Sequence, residues 1–301
     1  MSSPGRTVTT ALLALLGLVV CALPSHAATA SAECLPVPSH ILHRSVGYCA
    51  ILPPGYAADK ARRYPVLYLL HGLGENRQML IQTGGLNLVE NLWDAGRMGR
   101  FLIVTPDAGS SFYINSRNGR ERYEDFFIQE FLPFIARRYR VRAGRRNLGI
   151  AGISMGGYGA LHLAFTYTRL FGSVAAESAA LIERIPSVTV DGSQPRAFRL
   201  MLGGAFGSPP SPAFWEQNSP LTLARTSRLA GMKIYFDCGA QDDYGFNQGA
   251  RALDRILAGR GIPHEFHIYP GGHDWSYFGA HLPGLLEFES RAFGLDNISH
   301  P

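Results

Sequence analysis

Several features that define other protein classes are missing from this sequence. It has no internal repeat of solenoid length and no low-complexity run, which excludes a repeat array and a disordered scaffold. No change in composition after residue 35 marks a linker between two domains. Only 17% of the 301 residues are charged and 46% are hydrophobic, so the chain can bury one large core. We therefore expect one folded domain.

An apolar run at the amino terminus is too short to cross a bilayer comfortably. Residues 8–23 form this run, Arg6 precedes it and small residues follow it, as is typical of a secretory signal peptide. A lipidated amino terminus at Cys21 would need a small residue in place of Val20. We predict a signal peptide over 1–30, a single domain over 31–301, and a secreted or extracytoplasmic protein without a stable membrane anchor. The candidate cleavage sites follow Ala27, Ala30 and Ala32.

Cysteine is scarce, with four residues in the chain. Cys21 lies in the predicted signal peptide, so three cysteines remain after cleavage. Cys34 and Cys49 are close enough in sequence to close a small loop, and an exported protein can keep such a disulfide. Cys238 ends an apolar run, which favours an unpaired cysteine in the core.

Six short and nearly continuous apolar runs alternate with helical patterns. Such runs are typical of strands buried on both faces of a parallel sheet. Apolar residues at four-residue spacing, as at Phe127, Phe131 and Ile135, predict helices between them. The predicted strands are 66–70, 101–105, 147–151, 171–176, 232–237 and 265–269. The pattern predicts an α/β fold with a mostly parallel, doubly wound sheet, helices on both faces, and ligands at the carboxyl ends of the strands.

A dense run of arginines begins where the helix around Ile135 should end. A cationic helix end is favoured by the helix dipole, and the later arginines fit a solvated loop. The alternative is a patch that binds anions or nucleic acid. We favour the first interpretation and expect no nucleic-acid partner. The run consists of Arg137, Arg138, Arg140, Arg142, Arg145 and Arg146.

The strongest chemical signal is a G-x-S-x-G motif at 152–156. An apolar run precedes it and a stretch that can be helical follows it, which is the context that a nucleophile elbow requires. Ser154 would lie on a strained turn, and the flanking glycines would let strand and helix approach. The alternatives are an ordinary glycine-rich turn or a phosphate-binding loop, but no G-x-G-x-x-G motif and no Walker lysine is present. We therefore predict that Ser154 is a nucleophile.

A nucleophilic serine needs a base, and His273 is the best placed histidine. It lies in the glycine-rich loop Gly271-Gly272-His273-Asp274-Trp275, directly after the last predicted strand. The other histidines after Ser154 lie in a helix, in a strand or beyond the loop. They are His162, His264, His267 and His281.

A carboxylate must orient the histidine, and four aspartates are near. Asp237 is still within its strand, and Asp274 is adjacent to His273 and therefore too close to reach the far side of the ring. Asp242 and Asp243 both lie in the loop past the strand end. The pattern alone does not choose between these two residues.

The segment His71-Gly72-Leu73-Gly74 follows a predicted strand where this kind of fold presents a backbone amide to a developing oxyanion. The second amide comes from the residue after the nucleophile. We therefore predict that the N–H groups of Leu73 and Met155 form an oxyanion hole. His71 precedes Ser154 in the chain and is expected to brace the loop.

Taken together, four motifs resemble the esterase D family of α/β-hydrolases. They are Tyr68-Leu69-Leu70-His71-Gly72, Gly152-Ile153-Ser154-Met155-Gly156-Gly157-Tyr158-Gly159-Ala160, Cys238-Gly239-Ala240-Gln241-Asp242, and Gly271-Gly272-His273-Asp274-Trp275. The family includes S-formylglutathione hydrolases, tributyrin esterases, feruloyl esterases and mycolyltransferases. The resemblance covers residues 48–293 and implies the α/β-hydrolase fold. It also selects Asp242, because the orienting acid in these esterases is the aspartate four residues after the strand-end cysteine. The chain departs from the family at Glu177-Ser178-Ala179-Ala180, where a Ser-Gly-rich strand end is common.

The resemblance implies a serine carboxylesterase that hydrolyses small or short-acyl esters through a Ser-His-Asp triad and an acyl-enzyme, and the predicted signal peptide implies that it is secreted. It implies no cofactor and no metal. The alternatives are an acyltransferase of the mycolyltransferase type and a non-catalytic binding protein that keeps the fold. The predicted signal peptide argues against a cytosolic formylglutathione activity. The segment 181–231 is expected to cap the cleft.

Overall fold

The computed structural model describes residues 30–183 and 202–295. The predicted signal peptide therefore lies outside the described residues, apart from Ala30. Within the described residues, no helix combines the length and the apolar character needed to cross a membrane.

An eight-stranded sheet forms the centre of the domain. Its strands are β1 (Ser31–Ser39), β2 (Arg44–Leu52), β3 (Val66–Leu70), β4 (Leu102–Pro106), β5 (Leu148–Ile153), β6 (Ser173–Glu177), β7 (Lys233–Gly239) and β8 (Glu265–Tyr269). They lie in the order β1-β2-β4-β3-β5-β6-β7-β8, and every pairing from β4 to β8 is parallel. The predicted mostly parallel α/β sheet is confirmed.

The helices lie in two layers on either side of the sheet. They are α1 (Met79–Gln82), α2 (Gly85–Asp94), α3 (Tyr123–Phe126), α4 (Leu132–Arg138), α5 (Met155–Thr166), α6 (Pro212–Asn218), α7 (Pro220–Thr226), α8 (Phe246–Gly259) and α9 (Trp275–Ala292), and a π-helical segment (Phe127–Phe131) joins α3 to α4. Side chains of α3, α4, α5, α7 and α8 enter one apolar core, and those of α1, α2 and α9 enter the other. Burial of both sheet faces explains why β3, β4 and β6 are buried along their whole length.

The amino-terminal hairpin of β1 and β2 was not predicted from the sequence. β1 pairs antiparallel with β2, and β2 pairs antiparallel with β4. Cys34 lies opposite Cys49 in this hairpin, and the two form a disulfide. Cys238 is buried and is the free cysteine of the described residues. Both cysteine predictions are confirmed.

Candidate active site

Ser154 lies on a sharp turn between β5 and α5, at the carboxyl edge of the sheet. Its backbone has φ 56° and ψ −116°, a conformation that costs energy for a residue with a side chain. The turn is possible because two glycines flank it. A Cβ on Gly152 would lie 2.2 Å from the Gly156 carbonyl oxygen, and a Cβ on Gly156 would lie 2.0 Å from that of Leu70. The predicted elbow geometry is therefore present.

Two neighbouring strand ends hold the turn in place. The Ser154 N–H donates to the Glu177 carbonyl oxygen at 2.9 Å, and the Ser154 carbonyl accepts from the N–H of Ala180 at 3.0 Å. Ser178, which has φ 42°, donates its N–H to the carbonyl of Asp237 at 2.9 Å. Hydrogen bonds from β6 and from the residues that follow it thus hold Ser154 in its strained conformation.

A chain of hydrogen bonds joins Ser154, His273 and Asp242. The Ser154 Oγ lies 2.9 Å from His273 Nε2, and His273 Nδ1 lies 2.7 Å from Asp242 Oδ2. The Asp242 side chain is fully buried and that of His273 is 8% exposed. This arrangement allows proton transfer from the serine hydroxyl to the ring, with a carboxylate on the far side of the ring.

The environment of Asp242 keeps it ionised. Burial acts to raise its pKa, but the hydrogen bond and charge of His273, with the N–H groups of Phe246 and Tyr244, together outweigh this, so the pKa lies below its usual value. Its other oxygen, Oδ1, accepts the N–H groups of Tyr244 at 3.0 Å and Phe246 at 3.2 Å. These bonds fix the carboxylate at the angle from which it meets the imidazole.

The other three aspartates are engaged elsewhere or exposed. Asp243 is exposed. Asp274 caps α9 by accepting the N–H groups of Ser276 and Tyr277. Asp237 accepts a hydrogen bond from the Tyr277 hydroxyl. Of the four candidates in the sequence, the structure brings Asp242 to His273.

His71 braces the loop that contains Leu73. Its Nε2 accepts the N–H of Ala108 at 3.0 Å, so the proton lies on Nδ1, which donates to the Gly72 carbonyl at 2.7 Å. Burial lowers the pKa of His71, which favours this neutral form. The N–H groups of Leu73 and Met155 have no hydrogen-bond partner among the described residues.

A cavity of about 320 Å³ opens above Ser154 and His273. Leu73, Met155 and Phe112 line it. Its remaining wall is largely aromatic, with ring centroids of three of these residues 4.9 to 5.3 Å from that of His273. Those three are Tyr244, Phe246 and Phe278. The described parts of 181–231 do not line the cavity, and 184–201 lie outside the described residues.

Glu75 links two walls of the cavity and was not recognised in the sequence. Its Oε2 accepts the N–H of Gly72 at 2.8 Å, and its Oε1 accepts the indole N–H of Trp275 at 2.7 Å. One carboxylate therefore ties the loop of Leu73 to the loop of His273. The sequence signal for Glu75 was its position two residues after Leu73, but its partner Trp275 lies 200 residues further along the chain.

Two buried carboxyl groups, those of Glu177 and Asp237, lie beneath the site. Glu177 belongs to the segment in which the sequence departs from the family pattern. Neither oxygen of the Glu177 carboxyl has a hydrogen-bond partner among the described residues. Burial, with the neighbouring Asp237 adding to it, raises the pKa of Glu177 well above its usual value. Burial also raises the pKa of Asp237 to about 6. Within the described residues, no group of His, Cys, Asp and Glu side chains is arranged to hold a metal ion.

Comparisons with known proteins identify related esterases. A family model described as "Putative esterase" matches residues 39–288. An esterase of Mycobacterium tuberculosis is 31% identical over 247 residues, which are 75% of this chain and 52% of the relative. The chain thus spans about half the length of this relative. An acetyl esterase of Caldicellulosiruptor saccharolyticus is 27% identical over 262 residues, covering 84% of this chain and 96% of the relative.

Solved structures show the same fold. A ferulic acid esterase superposes with a TM-score of 0.76 at 28% identity, covering 88% of this chain and 99% of that one. An S-formylglutathione hydrolase from Staphylococcus aureus has a TM-score of 0.67 at 20% identity, covering 87% of this chain and 99% of that one. The resemblance and the α/β-hydrolase fold inferred from four motifs are confirmed.

Proposed function

This chain belongs to the esterase family whose model spans residues 39–288, and from that premise we propose that it is a secreted serine carboxylesterase for small esters. The observation that carries the proposal is the hydrogen-bonded chain from Ser154 through His273 to Asp242. A serine on a strained turn beside a buried, oriented imidazole is the arrangement that acyl transfer requires.

The reaction begins when Ser154 Oγ attacks the ester carbonyl and its proton passes to His273 Nε2. The imidazolium that forms is stabilised by Asp242, which accepts the Nδ1 proton in a hydrogen bond. The negative charge on the carbonyl oxygen is met by the N–H groups of Leu73 and Met155, which line the cavity and have no partner among the described residues. His273 then gives its proton to the departing alkoxide, leaving an acyl-enzyme.

The acyl-enzyme is resolved by water. His273 takes a proton from the water as it attacks the acyl carbon, and returns the proton to Ser154 as the acid leaves. An alcohol in place of water would give a new ester instead, which is the acyltransferase alternative. The two reactions use the same residues, so the competition between water and alcohol distinguishes them.

The cavity supports small substrates. Its volume of about 320 Å³ lies at the lower end of the range for ligand sites. Aromatic walls suit a short acyl chain or a planar aromatic acyl group. Two similar proteins are named for acetyl and ferulic acid esters, which are substrates of these two kinds.

Export is supported by the disulfide between Cys34 and Cys49, because such bonds persist in oxidising compartments. It is also supported by the apolar run and small residues in the sequence of 1–30.

The experiment that tests the proposal is a series of p-nitrophenyl esters from acetate to decanoate, with methyl ferulate and a thioester, assayed in buffer and in dilute aqueous alcohol. We expect turnover of acetate or ferulate to exceed that of decanoate, with free acid as the main product. A main product that is the transesterified ester would support the acyltransferase instead. Absence of turnover on every ester would support a binding protein.

A further inference from the structure

The direction in which the Leu73 N–H points is set by the peptide group that joins Gly72 to Leu73. In a trans peptide the C=O and the N–H point in opposite directions. The Gly72 carbonyl oxygen accepts His71 Nδ1–H at 2.7 Å and the backbone N–H of Glu75 at 3.3 Å. Fixing this carbonyl oxygen therefore also fixes the Leu73 N–H, which is one of the two groups assigned to the oxyanion.

Glu75 also holds the other side of Gly72. Its Oε2 accepts the Gly72 N–H at 2.8 Å, so Glu75 bonds to both peptide groups that flank the Gly72 Cα. The fit is close, because a Cβ on Gly72 would lie 3.0 Å from Oε2. Leu73 is exposed and lies between two glycines, so its own side chain does little to hold this segment. The orientation of the Leu73 N–H therefore depends on these contacts with Glu75 and His71.

The second carboxylate oxygen of Glu75 bonds to the loop of the histidine. Oε1 accepts the indole N–H of Trp275 at 2.7 Å, and Trp275 follows His273 by two residues. The Trp275 ring packs edge-on against Phe278 at a centroid distance of 5.7 Å, and Phe278 packs edge-on against His273 at 5.1 Å. Within the described part of the chain Glu75 forms no ion pair, so both of its oxygens serve N–H donors of the two loops.

We propose that Glu75 is a positioning residue for the oxyanion hole, which fixes the Leu73 N–H relative to His273 by joining Gly72 to Trp275. The proposal rests on the proposed function, because it assigns a role in the same reaction. The Leu73 N–H meets a charge that develops only in the transition state, so loss of its alignment should lower kcat and leave KM nearly unchanged. A contact that only stabilised the fold would change Tm and leave kcat unchanged.

Two substitutions at Glu75 separate its span from its charge. The amide of Glu75→Gln has one acceptor oxygen, so one of the two N–H donors would face an NH₂ group. Glu75→Asp keeps the charge but is one methylene too short to span both donors. With p-nitrophenyl acetate we expect kcat to fall at least about tenfold in both variants, with KM within about twofold. Wild-type kcat in Glu75→Asp would show that only the charge matters and would overturn the proposal.

A thionoester probe locates the defect at the oxyanion hole. Sulfur is a weak hydrogen-bond acceptor, so the ratio of kcat/KM for p-nitrophenyl acetate to that for p-nitrophenyl thionoacetate reports hydrogen bonding to the reacting C=O. We expect Glu75→Gln to lower this ratio about tenfold. The control Glu216→Gln, at an exposed glutamate outside the cavity, should keep the wild-type ratio. An equal loss on both esters would place the effect at His273 instead, and the proposal would be wrong.

The partner of Glu75 is tested with Trp275→Phe, which removes the indole N–H and keeps an aromatic ring. We expect kcat to fall in this variant and to fall no further when Glu75→Gln is added, because the amide oxygen can then bond to Gly72 alone. Effects that multiply would show that the two residues act independently and would contradict the proposal. Trp93→Phe is the control, since the Trp93 indole donates to the Gly99 carbonyl at 3.0 Å outside the cavity, and it should leave kcat unchanged.

The same assays separate this proposal from the proposed function. Turnover of p-nitrophenyl acetate by the wild type, with the same kcat in Glu75→Gln and Trp275→Phe, would refute the positioning role and leave the esterase assignment in place. Absence of turnover by the wild type on every ester would refute the esterase assignment, and the positioning role with it.

Discussion

At the scale of single residues, Asp242 is the residue that the proposed mechanism needs most after Ser154 and His273. Its carboxylate oxygen lies 2.7 Å from His273 Nδ1, whereas the neighbouring Asp243 is exposed. Asp242→Asn would present an amide to the ring and favour the wrong tautomer. We therefore expect kcat to fall roughly 10⁴-fold in Asp242→Asn, while Asp243→Asn should change it by less than about tenfold. Steady-state kinetics on p-nitrophenyl acetate measures both, and the reverse ranking would move the orienting acid by one residue.

Glu289 gives a prediction about stability. It is fully buried on α9, one oxygen accepts the Ser173 hydroxyl and the other has no partner among the described residues. Burial raises its pKa to about 8. The folded state therefore holds a proton that the unfolded state releases above about pH 4.5, so this residue makes the free energy of unfolding fall as pH rises towards 8. One such proton contributes a slope of up to about 1.4 kcal/mol per pH unit.

Urea unfolding of Glu289→Gln between pH 5 and pH 8 measures this effect. The variant keeps an acceptor for Ser173 and cannot ionise, so we expect a shallower fall in stability than in the wild type, with Glu177 and Asp237 supplying what remains. Glu216→Gln, at an exposed glutamate, is the control and should follow the wild type. Identical slopes in all three proteins would show that Glu289 keeps an ordinary pKa.

The sequence predicted those site residues whose positions follow from a local sequence pattern. The elbow at Ser154 follows from two glycines within two residues of it, and Asp242 and His273 each lie in the loop that follows a strand. Glu75 and Glu177 were missed as contributors to the site because their partners are distant or absent. Glu75 meets Trp275 across 200 residues, and nothing in a linear pattern reports that Glu177 is buried without a partner.

At the scale of elements, the six strands of the parallel region were predicted to within about two residues. Burial on both faces gives five of them a nearly continuous apolar run, whereas β8 lies at the sheet edge and is only partly buried. The hairpin of β1 and β2 was missed for a related reason. β1 is an edge strand with four exposed positions in the first six, and Pro36 and Pro38 interrupt its pattern. Proline is tolerated at a sheet edge because no further strand is present to accept a hydrogen bond from the N–H that proline lacks.

The disulfide in this hairpin gives a prediction at the same scale. It closes a loop of 15 residues, so reduction should lower the free energy of unfolding by about 3 kcal/mol in the chain-entropy model. Activity should change little, because β1 lies at the far edge of the sheet from β7 and β8. Denaturant unfolding and steady-state kinetics of the double variant Cys34→Ser and Cys49→Ser check both points, and non-reducing peptide mapping of the wild type checks the pairing. A disulfide that contains Cys238 would contradict this assignment.

At the scale of the whole molecule, the fold explains why residues separated by up to 119 positions meet. The loops after β5, β7 and β8 leave the same edge of a parallel sheet, so Ser154, Asp242 and His273 converge there. Order along the chain and placement after strands were therefore sufficient to predict Ser154 and His273, whereas the family resemblance was needed to select Asp242 over Asp243. The shape of the cavity was not predictable, since its walls combine residues from six separate segments whose packing no local pattern encodes.

The central claim is that Ser154 is the nucleophile of a serine esterase, and active-site labelling tests it most directly. The mature protein is treated with a fluorophosphonate probe, digested and examined by mass spectrometry, with Ser154→Ala and Asp242→Asn in parallel. We expect one label on Ser154 in the wild type, slower labelling of Asp242→Asn, and neither label nor turnover in Ser154→Ala, whose kcat should fall on the order of 10⁶-fold. A label on another residue, or a Ser154→Ala variant that retains a tenth of the wild-type turnover, would contradict the claim.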